Sequence, residues 1–181
     1  MRSIARELGL AVADKPDSVE ICFVPDGDHA GLIRRRRPDS DTAGVIRDTA
    51  GRVLGEHDGY ERFTVGQRKG LGVAAGARRY VLDIVPATHE VIVGDKEELL
   101  ANGLVASRLN WLLGEPPAEP LSCAAKIRYR HAGAPAMVVA TPDGGARVTF
   151  AEPQSAVTPG QAVVFYDGDR VLGGGWIEGT A

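Results

Sequence analysis

Cysteine is scarce: the 181 residues carry two, Cys22 and Cys123, far apart and outside any Cys-x-x-Cys pair. That excludes a disulfide framework and the usual dithiol redox motif, and it fits reduced thiols in a cytoplasmic protein. No apolar run approaches bilayer-spanning length, so no membrane partner is expected. The first residues, Met1-Arg2-Ser3-Ile4-Ala5-Arg6-Glu7-Leu8, lack the apolar stretch of a signal peptide. A strong excess of either charge is missing too. The net charge of -3 does not attract nucleic acid, so such a partner needs local basic patches. Walker and dinucleotide-binding glycine motifs are absent. Glycine and proline, by contrast, are plentiful at 23 and 11 residues, which suits many short strands joined by tight turns.

Ile4 and Leu8, flanked by Arg6 and Glu7, predict a short amphipathic helix closed by Gly9. Asp26 is the expected cap of a second helix through His29, Leu32 and Ile33 into Arg34-Arg35-Arg36-Arg37, stopped by Pro38. Cations at that end oppose the helix dipole favourably, and the run reads as a solvated cap or, less simply, a phosphate contact. From Gly44 the pattern becomes strand and turn. Gly44 to Asp48 and Arg52 to Gly55 predict a hairpin, Tyr60 to Val65 a strand, and Tyr80 to Val85 with Glu90 to Gly94 a second hairpin. A brief helical turn follows over Lys96 to Leu100. Beyond Asn102-Gly103 six stretches alternate at strand period: Leu104 to Trp111, Leu121 to Tyr129, Ala136 to Ala140, Ala146 to Ala151, Ala162 to Tyr166 and Val171 to Ile177. Closing them into one antiparallel barrel removes exposed edges. The expected fold class is therefore mainly β with a few short helices (α+β): a small central β domain, then a six-stranded antiparallel β-barrel.

Three places could carry chemistry. The first is Asp14-Lys15-Pro16-Asp17-Ser18-Val19-Glu20-Ile21-Cys22-Phe23-Val24-Pro25, where two prolines hold extended backbone around a single thiol. Cys22 can be a presented nucleophile or a small buried hydrophobe, and the residues alone leave both open. The second is Gly66-Gln67-Arg68-Lys69-Gly70-Leu71-Gly72, whose glycines allow close backbone approach while Gln67, Arg68 and Lys69 point outward; it suits phosphate contact or a plain basic loop. The third is Lys126-Ile127-Arg128-Tyr129-Arg130. On a strand, Lys126, Arg128 and Arg130 would share one face, beside Tyr129. They would meet a phosphate backbone, or pair with Glu152 or aspartates of neighbouring strands. Cys123 reads as a core residue, and Gly173-Gly174-Gly175 as relief of crowding between strands.

These motifs, with Gly44-Val45-Ile46, Gly55-Glu56-His57-Asp58-Gly59, Thr158-Pro159-Gly160-Gln161-Ala162-Val163-Val164-Phe165-Tyr166 and Leu172-Gly173-Gly174-Gly175, occur in the order of one family. The chain resembles the central and C-terminal domains of bacterial tRNA-specific 2-thiouridylases. Val19-Glu20 stand where some members carry a glycine-containing pair. The resemblance implies ATP-dependent transfer of sulfur from a cysteine persulfide to C2 of the wobble uridine, U34, and a barrel like those of translation factors. It implies that Cys22 is the persulfide-bearing catalytic residue, resolved by a second cysteine upstream. It also implies that Arg128, Tyr129 and Gln161 touch tRNA, and that Gln67, Arg68 and Lys69 lie near the active site. The family's Ser-Gly-Gly-x-Asp-Ser phosphate loop is not in this sequence. No cofactor is expected in this chain itself; ATP with Mg is expected for the full-length enzyme. Expected partners are tRNA, a persulfide sulfur donor protein and the missing N-terminal ATP-binding domain. The expected layout is residues 1–13 as remnant of that domain, 14–101 as central domain and 102–181 as tRNA-binding barrel. A non-catalytic RNA-binding barrel is the competing reading, and a thiol oxidoreductase or sulfur-relay protein acting through Cys22 ranks last, since the Cys-x-x-Cys pair is missing.

Overall fold

The computed structural model describes residues 2–11, 13–14, 24, 28–38, 41–73, 78–129 and 131–181. Cys22 and Arg130 lie outside them. The chain divides into two compact units, Met1–Asp41 and Thr42–Ala181.

In the first unit, α1 spans Arg2–Glu7 and gives way to Gly9, whose φ of +65° supplies the left-handed turn that ends a helix. The second helix, α2, spans His29–Arg36, with Arg34, Arg35 and Arg36 in its last turn. Its cap is Asp28 and not Asp26: the Asp28 carboxylate accepts the Gly31 N–H at 2.9 Å. Only a side chain immediately ahead of the first turn can reach that free donor, and Asp26 is two residues too early.

The second unit opens with a four-stranded sheet. Its strands are β1 (Gly44–Asp48), β2 (Val53–His57), β3 (Tyr80–Val85) and β4 (Glu90–Gly94), in the order β2-β1-β4-β3. The two expected hairpins are present, and they join through a parallel β1–β4 pair with Ile46 opposite Val91. Asp48, almost fully buried, closes the first hairpin by accepting from Ala50 N, Arg52 N and the Arg52 guanidinium. The Arg52 backbone bond, followed by its guanidinium, holds this carboxyl below its usual range. Tyr60 to Val65 is not a strand. Tyr60–Arg62 form a 3₁₀ turn tied to Thr42 O through Tyr60 N, which drops Phe63 into the core with Ile46, Leu71, Val81, Val91 and Val93. The alternation there marks one inserted ring, and no neighbouring strand supplies a ladder.

A 3₁₀ turn at Glu97–Leu99 leads into the barrel: β5 (Leu100–Trp111), β6 (Leu121–Lys126), β7 (Ala134–Ala140), β8 (Ala146–Ser155), β9 (Ala162–Asp167) and β10 (Arg170–Thr180). The order β10-β5-β8-β7-β6-β9 closes on itself, and every neighbouring pair is antiparallel. Period two decides what faces inward. On β7, Ala134, Ala136 and Val138 are buried while Met137 and Val139 face out; on β8, Ala146, Val148 and Phe150 are buried. The filled interior also holds Leu104, Ile127, Val163, Phe165, Leu172 and Ile177. Gly173-Gly174-Gly175 relieves crowding as expected: a Cβ on Gly173 would stand 2.7 Å from Asn110 O and one on Gly174 2.5 Å from Val163 O.

Candidate nucleic-acid interface

Strand β6 ends at Lys126, three residues earlier than the alternation suggests, because its partner β7 begins opposite Ala125. Ile127, 1% exposed, still plugs the barrel interior and fixes where the chain leaves it. The backbone then turns, with His131 N donating to Arg128 O at 3.0 Å and His131 Nε2 against Gln154 Oε1 at 3.0 Å. Arg128 therefore does not share a strand face with Lys126. Its guanidinium donates to Ser155 O at 2.8 Å, which ties the turn to the end of β8. Tyr129 stands at the tip of the turn, 90% exposed. An aromatic ring so open is what a stacking contact needs, and it adds nothing to the core.

Gln161 reaches the same place from another part of the chain. Gly160, at φ +81°, makes the turn before β9, and two bonds pin it to β10: Gly160 N to Ile177 O, and Ile177 N to Gln161 O, each 2.8 Å. The Gln161 backbone is thus held while its side chain is exposed. Lys126, Arg128, Tyr129, Gln161 and Tyr166 surround an open cleft of about 790 Å³, floored by Ala162 and Val164. Two cations, an amide and two phenols around a low apolar floor can hold phosphates and stack bases. Tyr166 was not foreseen as a site residue. Its only signal was its outward position next to buried Phe165, which says nothing about neighbours on β6.

Gln67, Arg68 and Lys69 do not line this cleft. Gly66, Gly70 and Gly72 all have positive φ, the backbone freedom their loop requires. Gln67 is spent on the loop itself: its Oε1 accepts from Thr64 N and its Nε2 donates to Lys69 O, both at 3.0 Å. Two of the loop's amides are also taken, Gly66 N by Val81 O and Gln67 N by Thr64 O. Within the loop Gln67 thus acts as a brace. Arg68 and Lys69 stay exposed as basic side chains. His57 Nε2 lies 3.1 Å from His89 O and its ring 5.2 Å from Phe63, while its buried Nδ1 has no hydrogen-bond partner among the described residues. Among the described residues no group of three or more His, Cys, Asp or Glu could hold a metal ion, and no helix is long and apolar enough to cross a membrane.

Cys123 packs against the barrel core, and burial pushes its thiol up to about 11. A rise of about two units leaves roughly a hundredfold less thiolate than an open cysteine has at neutral pH. Iodoacetamide at pH 8 should therefore label Cys123 much more slowly in the folded chain than after unfolding in urea; equally rapid labelling of folded Cys123 by peptide mapping would contradict its core placement.

Residues 101–177 match the family model described as aminomethyltransferase beta-barrel domain, and residues 30–95 the one described as tRNA methyl transferase PRC-barrel domain. Over 98% of its length the chain is 52% identical to the tRNA-specific 2-thiouridylase MnmA of Solibacter usitatus and 49% identical to that of Carboxydothermus hydrogenoformans. Its identity to the MnmA of Rhodopirellula baltica is 50%, again over 98% of the chain. The chain covers 50%, 49% and 46% of those three proteins, so it spans about half the length of the curated relatives it matches.

Proposed function

The chain belongs to the tRNA-specific 2-thiouridylase family, and from that premise we propose that it is the sulfur-carrying and tRNA-holding part of such an enzyme. The observation that carries this is the convergence of Lys126, Arg128, Tyr129 and Gln161, from two separate turns of the barrel, on one cleft. Such a surface suits a folded RNA: cations meet phosphates, and Tyr129 and Tyr166 offer ring faces to unpaired bases.

In this reading Cys22 carries the sulfur as a persulfide. Its terminal sulfur attacks C2 of the wobble uridine, whose oxygen leaves in ATP-activated form. A second cysteine, outside this chain, then attacks Cys22 Sγ. The S–S bond to the transferred sulfur breaks, the electron pair goes to the thiocarbonyl product, and the two cysteines end as a disulfide. Cys123 is unsuited to that second role because its thiol stays protonated. ATP activation is assigned to the half of the relatives' length that this chain does not span. The methyltransferase names of the two family models find no counterpart here: the one described parallel strand pair lacks a glycine-rich strand–helix unit for a methyl donor.

Filter binding of an unmodified tRNA transcript from 50 to 200 mM salt tests the surface. Arg128→Gln should weaken binding and lower the slope of log K against log salt by about 0.7 to 0.9, one phosphate contact. Tyr129→Ala should cost about 1 to 3 kcal/mol with the slope unchanged, as loss of a stacked base does. Unaltered binding in both variants would turn this cleft away from RNA. If both weaken binding but Cys22 proves dispensable for thiolation, the barrel is a non-catalytic RNA-binding module.

A further inference from the structure

The cleft is one bank of a wider surface. In barrel order β5, β10, β9 and β6 are neighbours, and the register sets Asn110, Gly174, Val164 and Lys126 in one row across them. In the same register Trp176 lies opposite Ala162. The middle of this face is low because it must be: a Cβ on Gly174 would stand 2.5 Å from Val163 O and one on Gly175 2.6 Å from Ser107 O. A shallow groove of about 310 Å³ runs over these glycines, and Ala162 and Val164 belong both to it and to the cleft around Lys126 and Tyr129. The two are one continuous surface.

At the far bank Arg108 lies over the Trp176 ring, 5.3 Å from its centroid. Trp176 is 44% exposed, and Arg108 is exposed as well. Among the described residues no carboxylate forms an ion pair with Arg108, and none lines the groove. Arg108 also has φ +49°, a conformation in which glycine would be less strained.

We propose that the tRNA-binding surface continues across the glycine floor to Arg108 and Trp176, which together hold a further phosphate of the same RNA. This rests on the tRNA reading of the cleft. The indole holds the guanidinium carbon 5.3 Å from its ring centre, and with no carboxylate paired to it among the described residues the guanidinium can donate to two phosphate oxygens. Three strand spacings separate the two cationic banks, roughly 14 Å, so a ribose–phosphate strand can lie across the neutral floor between them. Cations on both banks and no acid in the groove favour RNA over a protein partner.

The test uses the full chain and the same unmodified tRNA transcript. Arg108→Gly removes the side chain where glycine suits the backbone, and Arg108→Gln serves as the second variant should the glycine disturb β5. Either should weaken binding about five- to tenfold near 100 mM salt and lower the salt slope by about 0.7 to 0.9, additively with Arg128→Gln. Arg108→Lys should keep the slope while losing part of the affinity, and Trp176→Leu should weaken binding with intact Arg108 charge. If Arg128→Gln and Tyr129→Ala weaken binding but both Arg108 variants bind as wild type, the extension is wrong and the cleft assignment stands. If the wild-type chain shows no salt-dependent tRNA binding, the cleft assignment falls and the extension with it.

Discussion

Cys22→Ser in the full-length thiouridylase should reduce 2-thiouridine to background, read by mass spectrometry of nucleosides, while tRNA affinity changes by less than about twofold. A hydroxyl cannot accept sulfur as a persulfide and is a far poorer nucleophile at neutral pH than a thiolate. Binding is spared because the residues proposed to hold RNA, from Lys126 to Tyr166, belong to the barrel and are positioned by its strands. Thiolation that survives the substitution would remove Cys22 from the reaction. Loss of thiolation together with loss of affinity would instead assign Cys22 to folding.

Phe165→Ala should cost about 3 to 5 kcal/mol, a large share of a single domain's stability. Phe165 is 0% exposed and stacks on Trp111 with ring centroids 5.6 Å apart and planes 25° from parallel. It sits between Val164 and Tyr166, which face the opposite way and line the cleft. Losing the ring should therefore lower the urea midpoint, alter Trp111 fluorescence and abolish tRNA binding together. Phe165→Leu keeps most of the volume, should cost under about 1.5 kcal/mol and should retain binding. A Phe165→Ala chain with a wild-type urea midpoint would mean the barrel interior is not packed around this ring.

Much of the architecture was legible because strands half-buried in a small barrel alternate strictly and their turns need glycine or proline. The stretches from Leu104 to Ile177 showed both signals, and six strands occur there, running a few residues further than expected on β5, β7, β8 and β10 and stopping short on β6. The misreadings share one cause. Tyr60 to Val65 and Ile127 to Tyr129 alternate in polarity, but each has one apolar residue inserted into a core, Phe63 or Ile127, without a partner strand to make a ladder. Alternation reports which side chains are buried; it does not report whether the backbone is paired. The parallel β1–β4 contact was invisible for a related reason, since either hairpin could satisfy its own pattern in isolation.

Residue order alone determined the barrel, the two hairpins, the family and the identity of the lone candidate thiol, because these depend on local period and on linear motifs. Only the closed barrel decided which side chains meet. It brings Gln161 to Tyr129, sets Arg108 on Trp176 from strands about seventy positions apart, and turns the Gln67 amide into a loop brace. Strand closure joins distant segments through backbone hydrogen bonds that any sequence can make, so the register that assembles a surface leaves almost no trace in the sequence of either strand.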